Sequence, residues 1–170
     1  KLWEGLGYYS RVRNMQKAAI QVMEEYDGKL PEDFETLFSL KGIGRYTAGA
    51  ISSIAYGKKA PAVDGNVLRV YSRLTENRDD IMKQSVRKSV EEQLKEIMPE
   101  DRPGDFNQAM MEIGAVICVP NGKAKCDECP LAEFCMARKH GTVEELPVKA
   151  PKKARKVENR TVMVIQDGSA

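Results

Sequence analysis

All four cysteines of the chain fall within 18 of its 170 residues, as Cys118-x7-Cys126-x2-Cys129-x5-Cys135 with Pro130 after the third. No other feature constrains the fold as tightly, because so short a segment brings four thiols together only by winding around a common centre. In a small secreted domain this spacing would read as a disulfide framework. No leader-like segment accompanies it here, and clustered thiols in a reducing compartment point to metal binding. Structural zinc usually takes two separated C-x2-C knuckles, whereas this chain has one. The unequal 7-2-5 pattern suits a four-iron cube, whose corners draw ligands from a winding loop. Zinc and unliganded core cysteines stay open as alternatives on spacing alone. Lys123, Lys125, Arg138 and Lys139 surround the cysteines, so the loop can also offer charge to a phosphate backbone.

The chain is long enough for one good core or two small subdomains. Its 42% hydrophobic and 31% charged residues are ordinary for a globular protein. No apolar run approaches the roughly 18 residues of a membrane span, and neither end resembles a signal peptide, so an intracellular protein without a membrane partner is expected. Lys1 opens directly into an apolar run without a Met, which suggests a piece of something longer. A net charge of +2 argues only weakly for a polyanionic partner. Lys149, Lys152, Lys153, Arg155, Lys156 and Arg160 form a basic stretch, and Glu91, Glu92, Glu96, Glu100 and Asp101 an acidic one. Either reads equally as a solvated face or linker.

Helical periodicity dominates, and the body is expected to be all-α. Tyr8 to Tyr26 places Val12, Met15, Ala19, Val22, Met23 and Tyr26 on one face, with Gly28 and Pro31 ending the helix. Residues 31–40 predict a short helix with Phe34, Leu37 and Phe38 inward. The Ala-, Gly- and Ser-rich residues 44–55 suit a helix packed closely on a neighbour. Asp64 is a candidate N-cap for the next helix. Residues 83–98 predict an amphipathic helix stopped by Pro99, and Pro103 or Asp105 opens another running to about Cys118. A Pro- and Lys-rich linker follows, and then the β-branched run Thr161-Val162-Met163-Val164-Ile165, which predicts a strand whose partners lie in a further domain.

Residues 40–49 read Leu-Lys-Gly-Ile-Gly-Arg-Tyr-Thr-Ala-Gly, a turn between two helices. Gly42 and Gly44 permit positive φ and a close backbone approach. Free N–H groups at the start of the second helix make an anion site. In a DNA binder they would hold a phosphate, with Lys41, Arg45 and Thr47 beside them; phosphate contacts position a duplex without reading its sequence. An ordinary αα turn is the competing reading.

Taken together, LWEGLGYYSRVRN (2–14), LKGIGRYTAGAI (40–51), AVDGNVLRV (62–70), FNQAMMEIGAVIC (106–118) and the cysteine pattern resemble the helix-hairpin-helix DNA glycosylase superfamily. Within it they are most similar to the A/G-specific adenine glycosylases of the MutY type. The likeness covers about residues 2–160 and comprises several motifs in the expected order. It implies that the cysteines hold a four-iron, four-sulfur (4Fe-4S) cluster and that the partner is double-stranded DNA carrying A:8-oxoguanine or A:G, bound by a monomer. It implies that Asp64 stabilises the developing oxocarbenium sugar, with Tyr46 and Asn66 orienting groups in that pocket. Gln108 falls where the family contacts the flipped adenine, and Tyr8 matches an aromatic wedge that enters the base stack. Lyase relatives similar to endonuclease III carry a nucleophilic Lys where this chain has Tyr46, so hydrolysis without a Schiff base is implied. Each residue also has a plainer reading: Asp64 as a cap alone, Asn66 as first-turn filler, Tyr8 as core.

Two departures stand out. The first cysteine interval is one residue longer than the family's, in an exposed loop where Asn121-Gly122 forms a natural turn. The Glu that protonates the leaving adenine in the family lies upstream of Leu2, so the fragment alone is expected to lack activity. The expected organisation is a helix-hairpin-helix unit over 1–60, a cluster unit over 61–142, a basic linker over 143–160, and the first strand of a NUDIX-like domain over 161–170.

Overall fold

The computed structural model describes residues 2–151 and 158–164. The body is helical: α1 (Tyr9–Glu25), α2 (Phe34–Ser39), α3 (Arg45–Ala50), α4 (Gly65–Thr75), α5 (Gln84–Ile97), α6 (Pro103–Glu112) and α7 (Met136–His140). Single π-type turns prolong α3 through Ile51–Ala55 and α6 through Ile113–Ile117. Among the described residues no helix is long and apolar enough to cross a membrane. Local chemistry explains the element ends. Asp33 caps α2 by accepting from the Thr36 N–H at 2.9 Å. Pro103 sits at the start of α6, where its missing N–H costs nothing. Asp27 and Gly28, at φ of 52° and 72°, turn the chain out of α1.

Two apolar clusters hold the body together. Val22, Leu37, Leu40 and Ala48 join α1, α2 and α3. Val63, Val67, Leu68, Val70, Tyr71, Ile81, Val90, Leu94 and Met110 gather α5 and α6 around α4. Small residues let these layers meet at backbone distance. A Cβ on Gly49 would stand 2.1 Å from the Pro61 carbonyl oxygen, and one on Gly114 would stand 2.6 Å from Asn66 Cβ. The segment leading into Asp64 is therefore pressed between α3 and α6, as the composition of residues 44–55 led one to expect.

Some inward faces read from periodicity are not inward. Met15, Ala19 and Met23 on α1 and Phe38 on α2 are exposed, while Val22 and Leu37 are buried. A 3.6-residue period identifies an apolar face; whether another element covers it depends on packing that the period does not contain. Phe38 instead stacks on Phe34, with ring centroids 6.2 Å apart.

The segment expected as the head of a linker is part of the body. Leu146 is buried and its carbonyl accepts from Arg73 Nε at 3.0 Å. The Ile81 N–H donates to the Val148 carbonyl at 3.1 Å, and the Ala150 N–H donates to Asp80 at 3.1 Å. Thr161–Val164 adopt no strand, because a strand needs a hydrogen-bonding neighbour and this segment has none among the described residues. Ile165 and the basic residues Lys152, Lys153, Arg155 and Lys156 lie outside the described residues.

The strap's anchor on Asp80 has a pH signature. The backbone N–H groups of Met82 and then Ala150 stabilise the carboxylate and hold its pKa below the ordinary 3.8. A depressed folded-state pKa contributes stability above the unfolded value and loses it as pH falls through the folded one. Asp80→Ala should therefore lower Tm at neutral pH, and the gap to the unsubstituted chain should close in acid below 3.8. A pH-independent gap in thermal melts would assign the loss to something other than the carboxylate.

Candidate active site and cysteine pocket

Asp64 is the N-cap of α4, in extended backbone at φ −104° and ψ −172°. Its Oδ1 accepts from the N–H groups of Asn66 and Val67, both at 2.8 Å, and its Oδ2 accepts from Asn66 Nδ2 at 3.0 Å. One carboxylate thus closes the helix start and fixes the Asn66 side chain, while Asp64 stays partly solvent-accessible. The segment before it is tied down by Asn107, a buried amide on α6. Asn107 Oδ1 accepts from the Ala62 N–H at 3.0 Å, and Nδ2 donates to Ser53 Oγ at 2.7 Å and to the Ala60 carbonyl at 2.9 Å. Helices α3 and α6 thus tie down the segment that leads into Asp64, and α4 begins directly after it.

From Asn66 a polar chain runs inward. Asn66 Oδ1 accepts from Arg69 Nη2 at 2.8 Å; the same guanidinium donates to the Gly114 carbonyl at 2.6 Å and, through Nε, to the Cys118 carbonyl at 2.7 Å. Burial pushes the Arg69 pKa down and the Arg73 charge pushes the same way, while Cys118 and Asp64 act against them without reversing the shift. One turn on, Arg73 Nη1 donates to Cys118 Sγ and to the Val119 carbonyl, both at 3.2 Å. Sequence reasoning passed over both arginines and Asn107. The available signal was a pair of arginines four apart inside the apolar run Val67–Leu74, where a surface helix would not put them.

The remaining candidates divide by surroundings. Tyr46, on α3, is partly exposed and its hydroxyl donates to Met111 Sδ at 3.1 Å on α6. Gln108 lies one turn before Met111 and is exposed, with only a 3.5 Å bond to the Gly104 carbonyl. Gly114, in the turn that prolongs the same helix, packs on Asn66, so α6 and its extension touch both Tyr46 and Asn66. Tyr8 is 80% exposed, at φ 49° immediately before α1. It is not core, and the plain reading of this residue fails.

At the hairpin the two glycines differ. Gly42 has φ +79°, and a Cβ there would stand 2.4 Å from Asn14 Cβ, so only glycine fits. Gly44 has φ −88° and does not need positive φ; its Cβ position opens onto free space at the start of α3. Lys41 and Thr47 are exposed beside it, the Lys41 N–H donating to Gln21 at 3.2 Å. Arg45 is placed otherwise than expected. Its guanidinium binds Glu91 on α5 at 2.7 and 2.8 Å and covers the rings of Phe34 and Phe38 at 5.0 and 5.4 Å. The hydrogen bond to Glu91 holds its pKa above the ordinary value. Its charge braces α3 against α5, which removes it from the phosphate-facing set.

All four cysteines are free and line one small cavity of about 30 Å³, with Arg73, Arg138 and Val143 in its wall. Burial pushes the Cys126 thiol pKa up, and the proximity of Cys118, Cys135 and Cys129 pushes it further. Four converging thiolates repel one another unless a cation stands between them, so the donor set suits a metal centre.

Residues 1–100 match the family described as HhH-GPD superfamily base excision DNA repair protein. The chain is 45% identical over 147 residues to the human protein named adenine DNA glycosylase, covering 86% of this chain and 27% of that one. It is 40% identical over 152 residues to the adenine DNA glycosylase of Buchnera aphidicola subsp. Acyrthosiphon pisum, covering 89% and 43% respectively. The chain therefore spans well under half the length of these relatives. Among solved structures, a thermostable thymine-DNA glycosylase superposes with TM-score 0.67 and 30% identity, over 77% of this chain and 59% of that one. A non-covalent endonuclease III–DNA complex superposes with TM-score 0.66 and 33% identity, over 80% and 62%.

Proposed function

The chain belongs to the HhH-GPD superfamily of base excision DNA repair proteins, and from that premise we propose that it is the central part of an intracellular, monomeric adenine DNA glycosylase. The longer protein hydrolyses the N-glycosidic bond of adenine opposite 8-oxoguanine or guanine in double-stranded DNA. The observation that carries this reading is the Asp64–Asn66 pair at the start of α4, a carboxylate held in place by three donors yet partly open to solvent. Such a group is preorganised to face the positive charge that develops on the sugar as the bond breaks. Tyr46 and Asn66 orient the pocket, Gln108 meets the extruded adenine, and exposed Tyr8 enters the stack the base has left. The N–H groups at Gly42 and Gly44, with Lys41 and Thr47, receive a phosphate. Tyr46 offers a phenol and no amine, which favours plain hydrolysis over lyase chemistry.

Cys118, Cys126, Cys129 and Cys135 are the ligands of a 4Fe-4S cluster in this reading. Support comes from their shared pocket and from the 7-2-5 spacing with its single C-x2-C pair. The cluster would supply structural cross-linking of the loop.

In a longer protein that carries the general acid, incubation with an A:8-oxoguanine duplex should release free adenine and leave an intact abasic strand until alkali cuts it. Anaerobically purified chain should be brown and hold about four irons. Strand cleavage without alkali would overturn the monofunctional reading, absence of free adenine the substrate, and one zinc per chain the cluster.

A further inference from the structure

We propose that Asn121-Gly122 is a site of spontaneous deamidation whose product lowers the affinity of the cysteine loop for polyanions. The loop between Cys118 and Cys126 is pinned at its base and free at its tip. The Lys125 N–H donates to the Ile117 carbonyl at 3.0 Å, and the Val119 carbonyl accepts from Arg73 at 3.2 Å. Between these fastenings Pro120, Asn121, Gly122 and Lys123 are all exposed, and none makes a hydrogen bond within the described residues. Gly122 sits at φ +78° with nothing within 4 Å of its Cβ position.

This is the arrangement the chemistry requires. The Gly122 nitrogen, once deprotonated, attacks Asn121 Cγ, and the bond from Cγ to the side-chain nitrogen breaks. Ammonia leaves and a five-membered succinimide forms. Water then opens the ring at either carbonyl, giving aspartate or isoaspartate; one water is consumed, one ammonia is released, and nothing is oxidised or reduced. A hydrogen-bonded Gly122 N–H or a side chain at 122 would obstruct the attack, and neither is present. Three other asparagines are held: Asn66 and Asn107 have several partners each, and Asn77 Oδ1 accepts from the Asp79 N–H at 2.7 Å. Asn14 and Asn159 are followed by Met15 and Arg160, whose side chains hinder the attack that Gly122 leaves open.

The product places a carboxylate next to Lys123 and near Lys125, the cations of a cleft beside Cys126 that also holds Asp127, Glu128 and Glu144. A further carboxylate there offsets one lysine charge toward a phosphate backbone and so reduces the number of counterions released on binding. This second step rests on the DNA-docking reading above, whereas the modification itself does not.

The purified chain is aged in mildly alkaline and in mildly acidic buffer, digested, and followed by mass spectrometry with isoaspartate labelling. The 121-containing peptide should show the amide-to-acid mass gain, faster in alkali, while peptides holding Asn66, Asn77 and Asn107 stay unchanged. Asn121→Ser should abolish the signal without altering the fold. Conversion no faster than in the control peptides would overturn the site. Salt titrations with a plain duplex then compare fresh chain, aged chain and Asn121→Asp. The slope of log K against log salt should become shallower by roughly 0.9 for each phosphate that the aged and substituted forms leave without a neutralising cation. Equal slopes after verified conversion would overturn the docking consequence, and no duplex binding by the fresh chain would count against the DNA reading itself.

Discussion

Asp64→Asn in a full-length parent should cut single-turnover adenine excision by about 10²–10³-fold, roughly 2.7–4 kcal/mol of transition-state stabilisation. The geometry makes this substitution unusually informative. Asn caps a helix about as well as Asp, so the bonds from the Asn66 and Val67 N–H groups to Oδ1 survive. The negative charge disappears, together with the bond from Asn66 Nδ2 to Oδ2, where two amide donors would now face each other at 3.0 Å. Thermal stability should fall by about 1 kcal/mol at most, and affinity for an A:8-oxoguanine duplex should change far less than the rate. Near-normal excision with a normal melt would leave Asp64 as a cap and nothing more. A large fall in Tm matching the fall in rate would assign the effect to folding.

Arg69→Leu should destabilise the fold by on the order of 3 kcal/mol, or about 10 °C in Tm for a chain of this size. Arg69 is 5% exposed and its guanidinium joins Asn66, Gly114 and Cys118. Leucine fills similar space but leaves two carbonyls and an amide oxygen without this donor, the Gly114 carbonyl in a buried position and the other two partly buried. Arg69→Lys should recover little, because an ammonium does not reproduce the planar fork that reaches all three acceptors. Full recovery by lysine would mean that charge, and not geometry, is what the site uses. Since Asn66 is held by both Asp64 and Arg69, the substitution should also lower excision in the folded fraction. An unchanged melting curve would show that the network is surrounded by enough water to replace it.

How much of this was legible beforehand depends on the range of the interaction. Cap and turn chemistry is local: Asp64 before a helix, Pro103 at a helix start and Gly42 in a tight turn are all decided by atoms within a few residues. Those readings survive in three dimensions. The cysteine pattern belongs here too, since its short span makes convergence of the four thiols possible, and they do line one pocket. The helical character of the body was likewise written in the 3.6-residue period.

What the sequence left open concerns partners far away along the chain. That Arg45 spends its charge on Glu91, 46 residues distant, was not visible from its place in a hairpin. Nor was it visible that Met15 and Met23 lie uncovered, that residues 146–150 strap back onto α4 and onto Asp80 and Ile81, or that Asn107 anchors the approach to Asp64. Arg69 and Arg73 are the sharpest case. On a helix wheel they interrupt an apolar face, and only the packing of α6 and the cysteine loop against α4 converts that interruption into a buried bridge from Asn66 to Cys118. Residue types and local spacing thus determined the helices, the caps and the list of groups able to do chemistry. The tertiary structure decided which of those groups meet, because the free energy of a buried charge or an uncovered apolar face is set by neighbours that sequence order does not specify.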